Sequence, residues 1–358
     1  MDAYIFNTDF EAIQIVDTYN SFIWTERYNN CGDFELYLPF TGTDMFSYLA
    51  EGNYVGIRDS DAHMVIETIE LNSDVDEGCY LTISGRSLES ILDRRIIWAQ
   101  TNLDSKLQTG IKKLINENVI SPLITNRTIP NFIFQDTDDA TIDSYTIKAQ
   151  FTGDNLLSSL IDICTAYEIG FKLRRNDSGL FVFSLFNGVD RSYNQETNAY
   201  VIFSPQFENL FGTNYRESNQ NLKTIALVAG EGEGSERRTT TVISTETETT
   251  GLDRRELFVD ARDISSVTDD ETEMTEEEYN EKLRQRGSEN LAEAIFENEF
   301  DGEVDTASTI FKYGEDFFIG DIVQIRNEFG MEAQARITEF IRSCDSTGYK
   351  EYPTFTLI

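Results

Sequence analysis

One histidine, His63, stands in a chain of 358 residues, so any Ser-His-Asp or Cys-His arrangement has to use it. It lies between Ala62 and Met64 in a turn leading into a strand. No G-x-S-x-G elbow occurs, and a structural role is expected for it. A lone histidine also removes the usual His-rich zinc sites. The cysteines Cys31, Cys79, Cys164 and Cys344 do not replace them. They are scattered without a C-x-x-C pair, and four buried or half-buried thiols are expected. Carboxylates are the abundant reactive groups, with 64 acids against 29 bases. A glycosidase needs two of them, but no spacing marks a pair. "SDVDEG" (Ser73 to Gly78) and "DTDD" (Asp136 to Asp139) resemble pieces of calcium loops without the twelve-residue order, and read as solvated turns. "GEGEGSERR" (Gly230 to Arg238) has the glycines of a phosphate loop but lacks its Lys-Ser/Thr pair. Glu231 and Glu233 stand where phosphate would approach, so a flexible connection is expected. Trp24, Tyr28, Phe34 and Tyr37 invite a sugar-binding platform, yet alternation along strands commits half of them to a core. No catalytic constellation, metal site or cofactor is expected.

The net charge of −35 repels nucleic acid and anionic membranes. It reads either as solubility or as a surface that lets a polyanion pass without holding it. No run approaches the roughly 18 apolar residues of a membrane span. "MDAYIFNTDF" carries acid at once, so no leader peptide and a cytoplasmic synthesis are expected.

The elements that must position these groups are mostly strands. Six alternating or apolar runs separated by turn residues fill the first hundred positions, with one short helix at "GTDMFSYLA". They predict an antiparallel barrel or sandwich. Residues 86–200 read as an α+β block. Helices are predicted at "SLESILDRR", at "DSKLQTGIKKLINENVI" and at "GDNLLSSLIDICTAYEIG", the last capped by Asp154 and closed by Gly170. A hairpin follows, "GFKLRR" to "LFVFSLF" around "NDSG". Strands return at "YVIFS" and "LKTIALVAG". Residues 230–251 read as a mobile loop or hairpin tip around "TTTVIS". The longest helix is predicted over 275–298, with Thr275 and Glu278 as a capping box and Tyr279, Leu283, Leu291 and Ile295 on one face. Gly287 inside it costs about 1 kcal/mol against Ala, so close packing or a bend is expected there. Strands "ASTIFKY", "DIVQIRN", "QARITEFIR" and "YPTFTLI" end the chain.

"WTERYNNCGDFELYLP" resembles the N-terminal signature of phage tail hub proteins of the siphovirus tail-associated type, through Trp24, Arg27, Tyr28, Gly32, Phe34, Leu36, Leu38 and Pro39. "SGRSLESILDRRIIW" is similar to their Gly-Arg-x-Leu…Leu-x-x-Arg segment, through Gly85, Arg86, Leu88, Leu92 and Arg95. "GVDRS", "VIFSPQFENL", "ALVAGEGEGSERR", "YGEDFFIGDIVQI" and "ARITE" resemble later segments in the same order. The resemblance implies a mainly β fold with an α+β insertion, built as two tail-tube-like β-barrel domains, each with an accompanying helix. The boundaries expected are 1–100 plus 199–230 for the first barrel, 101–198 for the insert, and 231–358 for the second barrel. The resemblance further implies a homotrimeric ring of pseudo-sixfold symmetry under a hexameric tail tube at the virion's tail tip. Its neighbours would be the tail tube, distal tail and tape-measure proteins and a tail-tip spike or receptor-binding protein. DNA would pass through the lumen without specific binding. Glu231, Glu233, Glu246 and Glu248 are candidates for lining that lumen. Phe34, Leu36 and Leu38 are expected to bury one face in the first barrel, with Gly32 allowing the turn and Pro39 ending the strand. Many relatives continue into a cell-wall hydrolase or fibre, whereas this sequence stops at Ile358, so any lytic activity is expected on a separate chain. A tail-associated hydrolase and a carbohydrate-binding tail module are the rival readings.

Overall fold

A computed structural model describes residues 1–74, 78–267, 272–294, 297–303, 310–330 and 332–358. The chain is mainly β, with several sheets. Its first strands are β1 (Ala3–Phe6), β2 (Ala12–Val16), β3 (Ser21–Arg27), β4 (Asp33–Pro39), β5 (Tyr54–Gly56), β6 (His63–Val65), β7 (Thr68–Asp74) and β8 (Gly78–Arg86). The helix expected at "GTDMFSYLA" is a single 3-10 turn, Thr43–Ser47.

The insert carries β9 (Thr101–Lys106), α1 (Leu107–Ile115), β10 (Phe132–Gln135), α2 (Ala140–Ser144), β11 (Thr146–Phe151), α3 (Leu156–Ala166), β12 (Gly170–Arg175) and β13 (Phe181–Phe186). "SLESILDRR" is 3-10 rather than α, over Leu88–Arg94. The helix predicted from residue 104 begins only at Leu107, because residues 101–106 pair with β11 as a two-stranded sheet. Asn155, not Asp154, caps α3, its side chain accepting from the Ser158 N–H at 3.0 Å. Glu168 takes the left-handed conformation (φ 53°) after α3, and Gly170 opens β12 instead. The β12–β13 hairpin forms as expected.

The rest comprises β14 (Ile202–Phe203), β15 (Phe211–Ser218), β16 (Ile225–Ala229), β17 (Thr239–Ile243), β18 (Glu256–Asp260), α4 (Glu276–Glu293), β19 (Glu297–Glu303), β20 (Ile322–Arg326), β21 (Glu332–Asp345) and β22 (Gly348–Leu357). Helix α4 has the capping box expected from Thr275 and Glu278. It ends at Glu293 rather than at 298, because residues 297–303 are drawn into a ladder between β15 and β22. Ile295 lies outside the described residues, as does the start of "ASTIFKY". Residues 310–313 of that segment form no strand beyond an isolated bridge from Tyr313 to Phe317.

The central feature is a ten-stranded sheet in the order β15-β19-β22-β21-β3-β4-β8-β7, with β20 and β14 branching from β21. The N-terminal strands and the C-terminal strands meet inside it, where β3 pairs antiparallel with β21 from Arg27↔Glu339 to Ser21↔Asp345. Among the described strands no sheet closes on itself, so the barrels expected from each end are open sheets in one chain. Strand β16 lies outside the ten-stranded sheet and pairs along its whole length with β17 and β18 as a separate small sheet backed by α4.

Among the described residues four apolar cores follow. Trp24, Phe34, Leu36 and Ile83 from the large sheet pack against Ile5, Val55 and Met64 of the β2-β1-β5-β6 sheet. A second core fills the insert, a third lies under β20–β22, and the fourth sits between α4 and the β17-β16-β18 sheet. Gly287 belongs to the fourth. A Cβ there would stand 2.6 Å from Val228 Cγ2 and 2.7 Å from Val242 Cγ2, so close packing is the reason for the glycine.

Candidate functional site

The signature residues gather where three cores meet. Trp24 and Phe34 are cross-strand partners on β3 and β4. Both are buried, as are Leu36 and Leu38, which alternate with exposed or half-exposed neighbours. Pro39 is the last, exposed residue of β4, where the strand ends. Gly32 answers to a close approach: a Cβ would lie 2.3 Å from the Thr25 carbonyl oxygen, and its backbone is not in the left-handed region. Trp24, Tyr28 and Phe34 are core and Tyr37 stacks on Tyr80, so these four aromatics do not form a sugar-binding platform.

Arg27 and Tyr28 tie the two ends of the chain to the insert. Arg27 donates to Glu339 and to Asp33, both at 2.5 Å, and to the Cys31 carbonyl at 2.8 Å. The Tyr28 hydroxyl lies 3.1 Å from the Glu168 carbonyl and 3.2 Å from Asn187 Oδ1. The Arg336 guanidinium sits 5.3 Å from its ring centre. Burial pushes the Tyr28 phenol up to about 12. A cleft of about 580 Å³ opens beside these residues, lined also by Asn29, Thr165, Thr338 and Thr356. Both its guanidiniums are already engaged, Arg336 by the Gly320 carbonyl at 2.9 Å and by Glu168 at 3.7 Å. The arrangement is a joint, with its charges spent on holding strands together.

Behind the joint runs a buried ion network that sequence reasoning missed. Arg342 on β21 meets Glu26 on β3 at 2.7 Å. Arg174 on β12 meets Glu89 at 2.9 Å, Asp61 at 2.7 Å and Glu26 at 3.9 Å. Burial opposes the charge on Arg174, but Glu89, Asp61 and Glu26 together hold its pKa above the ordinary value. One signal for the network existed: Glu26 follows Trp24 by two, and Arg342 follows Phe340 by two, so both charges sit on inward-facing positions. His63 packs edge-on to Phe6 and Phe10 at 5.4 and 5.6 Å. Burial, aided by Arg174, lowers its pKa, so it is a neutral structural residue at pH 7. The described residues contain no group of three or more His, Cys, Asp or Glu side chains placed to hold a metal. All four cysteines are free, and Cys79 is exposed rather than buried because it sits near the tip of the β7–β8 hairpin. Asp139 of "DTDD" caps α2 and Asp136 pairs with Lys112, while residues 75–77 of "SDVDEG" lie outside the described residues.

A second group of carboxyls lies between α3 and α4. Burial, and then a hydrogen bond with Glu293, pushes Asp162 up to about 8. Burial pushes Glu289 up to about 7, against the opposing pull of the Gln285 amide at 3.0 Å and of Arg286. Arg286 itself is turned to Asp263 at 3.1 Å.

The lumen candidates fall into two pairs. Glu231 and Glu233 follow β16, whereas Glu246 and Glu248 follow β17. The two strands are antiparallel, Ala229 opposite Thr239 and Ile225 opposite Ile243, so the pairs stand at opposite ends of the hairpin. Glu231 is half-buried and accepts from the Ser266 N–H at 3.1 Å, while Glu248 pairs with Arg254. Glu233 and Glu246 are exposed. Among the described residues no helix is long and apolar enough to cross a membrane.

The same fold occurs in solved tail proteins. Prophage tail protein gp18 from Listeria monocytogenes EGD-e is 16% identical with a TM-score of 0.55, covering 99% of this chain and 94% of its own. The 43 kDa tail protein of prophage MuSo2 from Shewanella oneidensis is 14% identical with a TM-score of 0.56, covering 100% and 98%. The tail protein from Neisseria meningitidis MC58 is 12% identical with a TM-score of 0.56, covering 99% and 96%. No curated protein matches the sequence. The family model described as Siphovirus ReqiPepy6 Gp37-like protein matches residues 2–355, and the chain belongs to this family of siphovirus tail proteins.

Proposed function

We propose that the chain is the structural hub at the distal end of a phage or phage-like tail. In this reading three copies form a ring that joins the hexameric tail tube to the tail tip and leaves a channel for DNA. The observation that carries it is the open ten-stranded sheet. In a tail-protein family, its two end strands β7 and β15 offer backbone groups that strands of neighbouring copies can take up. Three such sheets joined edge to edge make the tube-like wall that one chain leaves open. In this reading the two tube-like domains are 1–100 with 199–230, and 231–358, bracketing the insert 101–198. The charge of −35 suits a lumen that must not hold DNA. The ring would touch the tail tube and distal tail proteins on one side and a spike or receptor-binding protein on the other, with the tape-measure protein leaving through it. The chain works without turnover.

The test is the native mass of the 40.9 kDa chain across a concentration series, followed by electron microscopy of the largest species. A trimer with a central hole supports the hub. A strict monomer that instead releases muropeptides from cell walls, or binds host glycans saturably, counts against it.

A further inference from the structure

The chain leaves the ten-stranded sheet at Ser218, the last residue of β15, and re-enters it at Glu297, the first residue of β19. These two residues are ladder partners. Between them the chain makes β16, β17, β18 and α4. This unit therefore hangs from two neighbouring strand ends, drawn together by the Lys223 N–H, which donates to the Ala294 carbonyl at 2.7 Å. Two adjacent crossings at the end of a ladder are the geometry of a hinge.

Helix α4 seats the unit on the insert, packing against α3 and β11. Its two sides differ in kind. Tyr279, Leu283 and Leu291 face the small sheet and share a core with Val228 and Val259. Among the described residues that core is separate from the core of the insert, so no continuous apolar core crosses the seat. Polar contacts cross it instead. Glu281 meets Lys148 at 2.8 Å, Lys282 donates to Gln150 at 3.0 Å and to Asn102, and Arg286 donates to the Gln150 carbonyl at 3.3 Å. Half-exposed ion pairs such as Lys148–Glu281 hold weakly, and polar joints between units of one chain allow motion by default.

The seat also holds three carboxyls. Asp162 on α3 hydrogen-bonds Glu293 on α4 and feels the charge of Glu289, one turn earlier on the same helix. Two carboxyls share such a bond only while one of them keeps a proton. Glu289 is buried, and its Oε1 accepts from the Gln285 amide at 3.0 Å. The groups facing the cluster are Arg286 from α4, Asp154 and Tyr167 from either end of α3, and Asp263 from the turn after β18. Lys148 of β11 and Lys282 are engaged in the contacts above. Arg286 is turned to Asp263 at 3.1 Å. Burial first, and then neighbouring carboxyls, raise Asp162 and Glu289 above the usual carboxylate range, against the pull of Arg286.

We propose that the unit of β16, β17, β18 and α4 is a hinged arm latched to the insert by protons, seated while Asp162, Glu289 and Glu293 share them and swung off α3 once all three carboxyls are ionised. Off the insert each carboxyl regains water and its ordinary acidity, so release of the arm lets protons go. Seating takes protons up. It is strongest below the ordinary carboxylate range and is lost as pH rises through about 7 to 8. None of the three carboxyls lies on the ten-stranded sheet, so the arm moves while the sheet keeps its pairing. The latch acts within one copy and stands whether or not copies form a ring.

The test uses the full-length chain with spin labels at Leu123→Cys on the insert and Thr241→Cys on the arm, both exposed positions. Cys79→Ser and Cys344→Ala remove the native thiols that are not buried. Electron double resonance reads the label separation from pH 5.5 to pH 9. One narrow separation is expected at pH 5.5. A second is expected to grow in with a midpoint near pH 7–8, the seated-to-released ratio falling at least tenfold, while circular dichroism stays native. The same chain carrying Asp162→Asn and Glu289→Gln is expected to keep the single narrow separation at every pH, because neither carboxamide ionises. A parent chain whose separation does not change with pH overturns the latch. Opening that persists in the Asn/Gln variant overturns the carboxyls as its cause. Loss of circular dichroism together with opening means unfolding and overturns the hinge.

Discussion

Arg342 and Glu26 form a 2.7 Å ion pair between the first strand of the ten-stranded sheet in sequence and the last but one, with their side chains 2% and 10% exposed. Removing one member of such a pair leaves the other charged and dry. Arg342→Leu is expected to destabilise the fold by about 3–5 kcal/mol. The double variant with Glu26→Gln is expected to cost less than the sum of the two singles. Urea unfolding of the four proteins measures this, and additive losses would show that the pair is not coupled.

Phe34 packs against Trp24 in the core between the two N-terminal sheets. Phe34→Ala is expected to cost about 3–5 kcal/mol through lost burial and the cavity left behind. A thermal midpoint equal to the parent's would remove Phe34 from the core.

The raised carboxyl of Glu289 makes stability depend on pH. Its side chain is 3% exposed and holds its proton up to about pH 7, while in the unfolded chain it ionises near the ordinary 4.5. Folding therefore takes up a proton between these values, and stability falls as pH rises through the window from 4.5 to 7. Glu289→Gln keeps the neutral form. It is expected to be more stable than the wild type by about 2–3 kcal/mol at pH 8 and by little at pH 4.5. Denaturation curves of both proteins from pH 4.5 to 8 check the widening gap; parallel curves would refute it.

Gly287→Ala gains about 1 kcal/mol of helix propensity yet places a methyl 2.6 Å from Val228 Cγ2. The contact is expected to win and lower the thermal midpoint. The double variant with Val228→Ala should regain part of the loss, and a more stable single variant would show that the sheet yields.

The two acidic turns separate the lumen question. Neutralising Glu231 and Glu233, or Glu246 and Glu248, in assembled particles is expected to slow DNA release where the turn faces the channel. The pairs stand about 16 Å apart along a five-residue strand, so the two double variants need not behave alike. Unchanged ejection with both would place the whole hairpin outside.

Local periodicity carried much of this fold. Alternation put Phe34, Leu36 and Leu38 in a core, Thr275 and Glu278 announced α4, and Gly287 announced a tight contact or a bend, of which the structure has the contact. What periodicity lacks is the partner. Residues 104–106 and 297–298 read as parts of helices until a neighbouring ladder claims them. The pairing of β3 with β21, and with it the meeting of Glu26 with Arg342, depends on register across the whole chain. The cap on α3 moved by one residue for a local reason: Asp154 spends its carboxylate on the Thr152 N–H, leaving Asn155 to cap.

The β3–β21 ladder also sets a timetable. Arg27 meets Glu339 across 312 positions of chain. At ribosomal speeds of about 5–20 residues per second, roughly 15–60 s pass between making one strand and making its neighbour. Throughout that interval β3 has β4 on one side and an unfilled place on the other, so a nascent chain holds an incomplete wall until its last strands emerge. The polypeptide is thus prevented from presenting a finished sheet, and from recruiting other copies through it, before nearly all of it has left the ribosome.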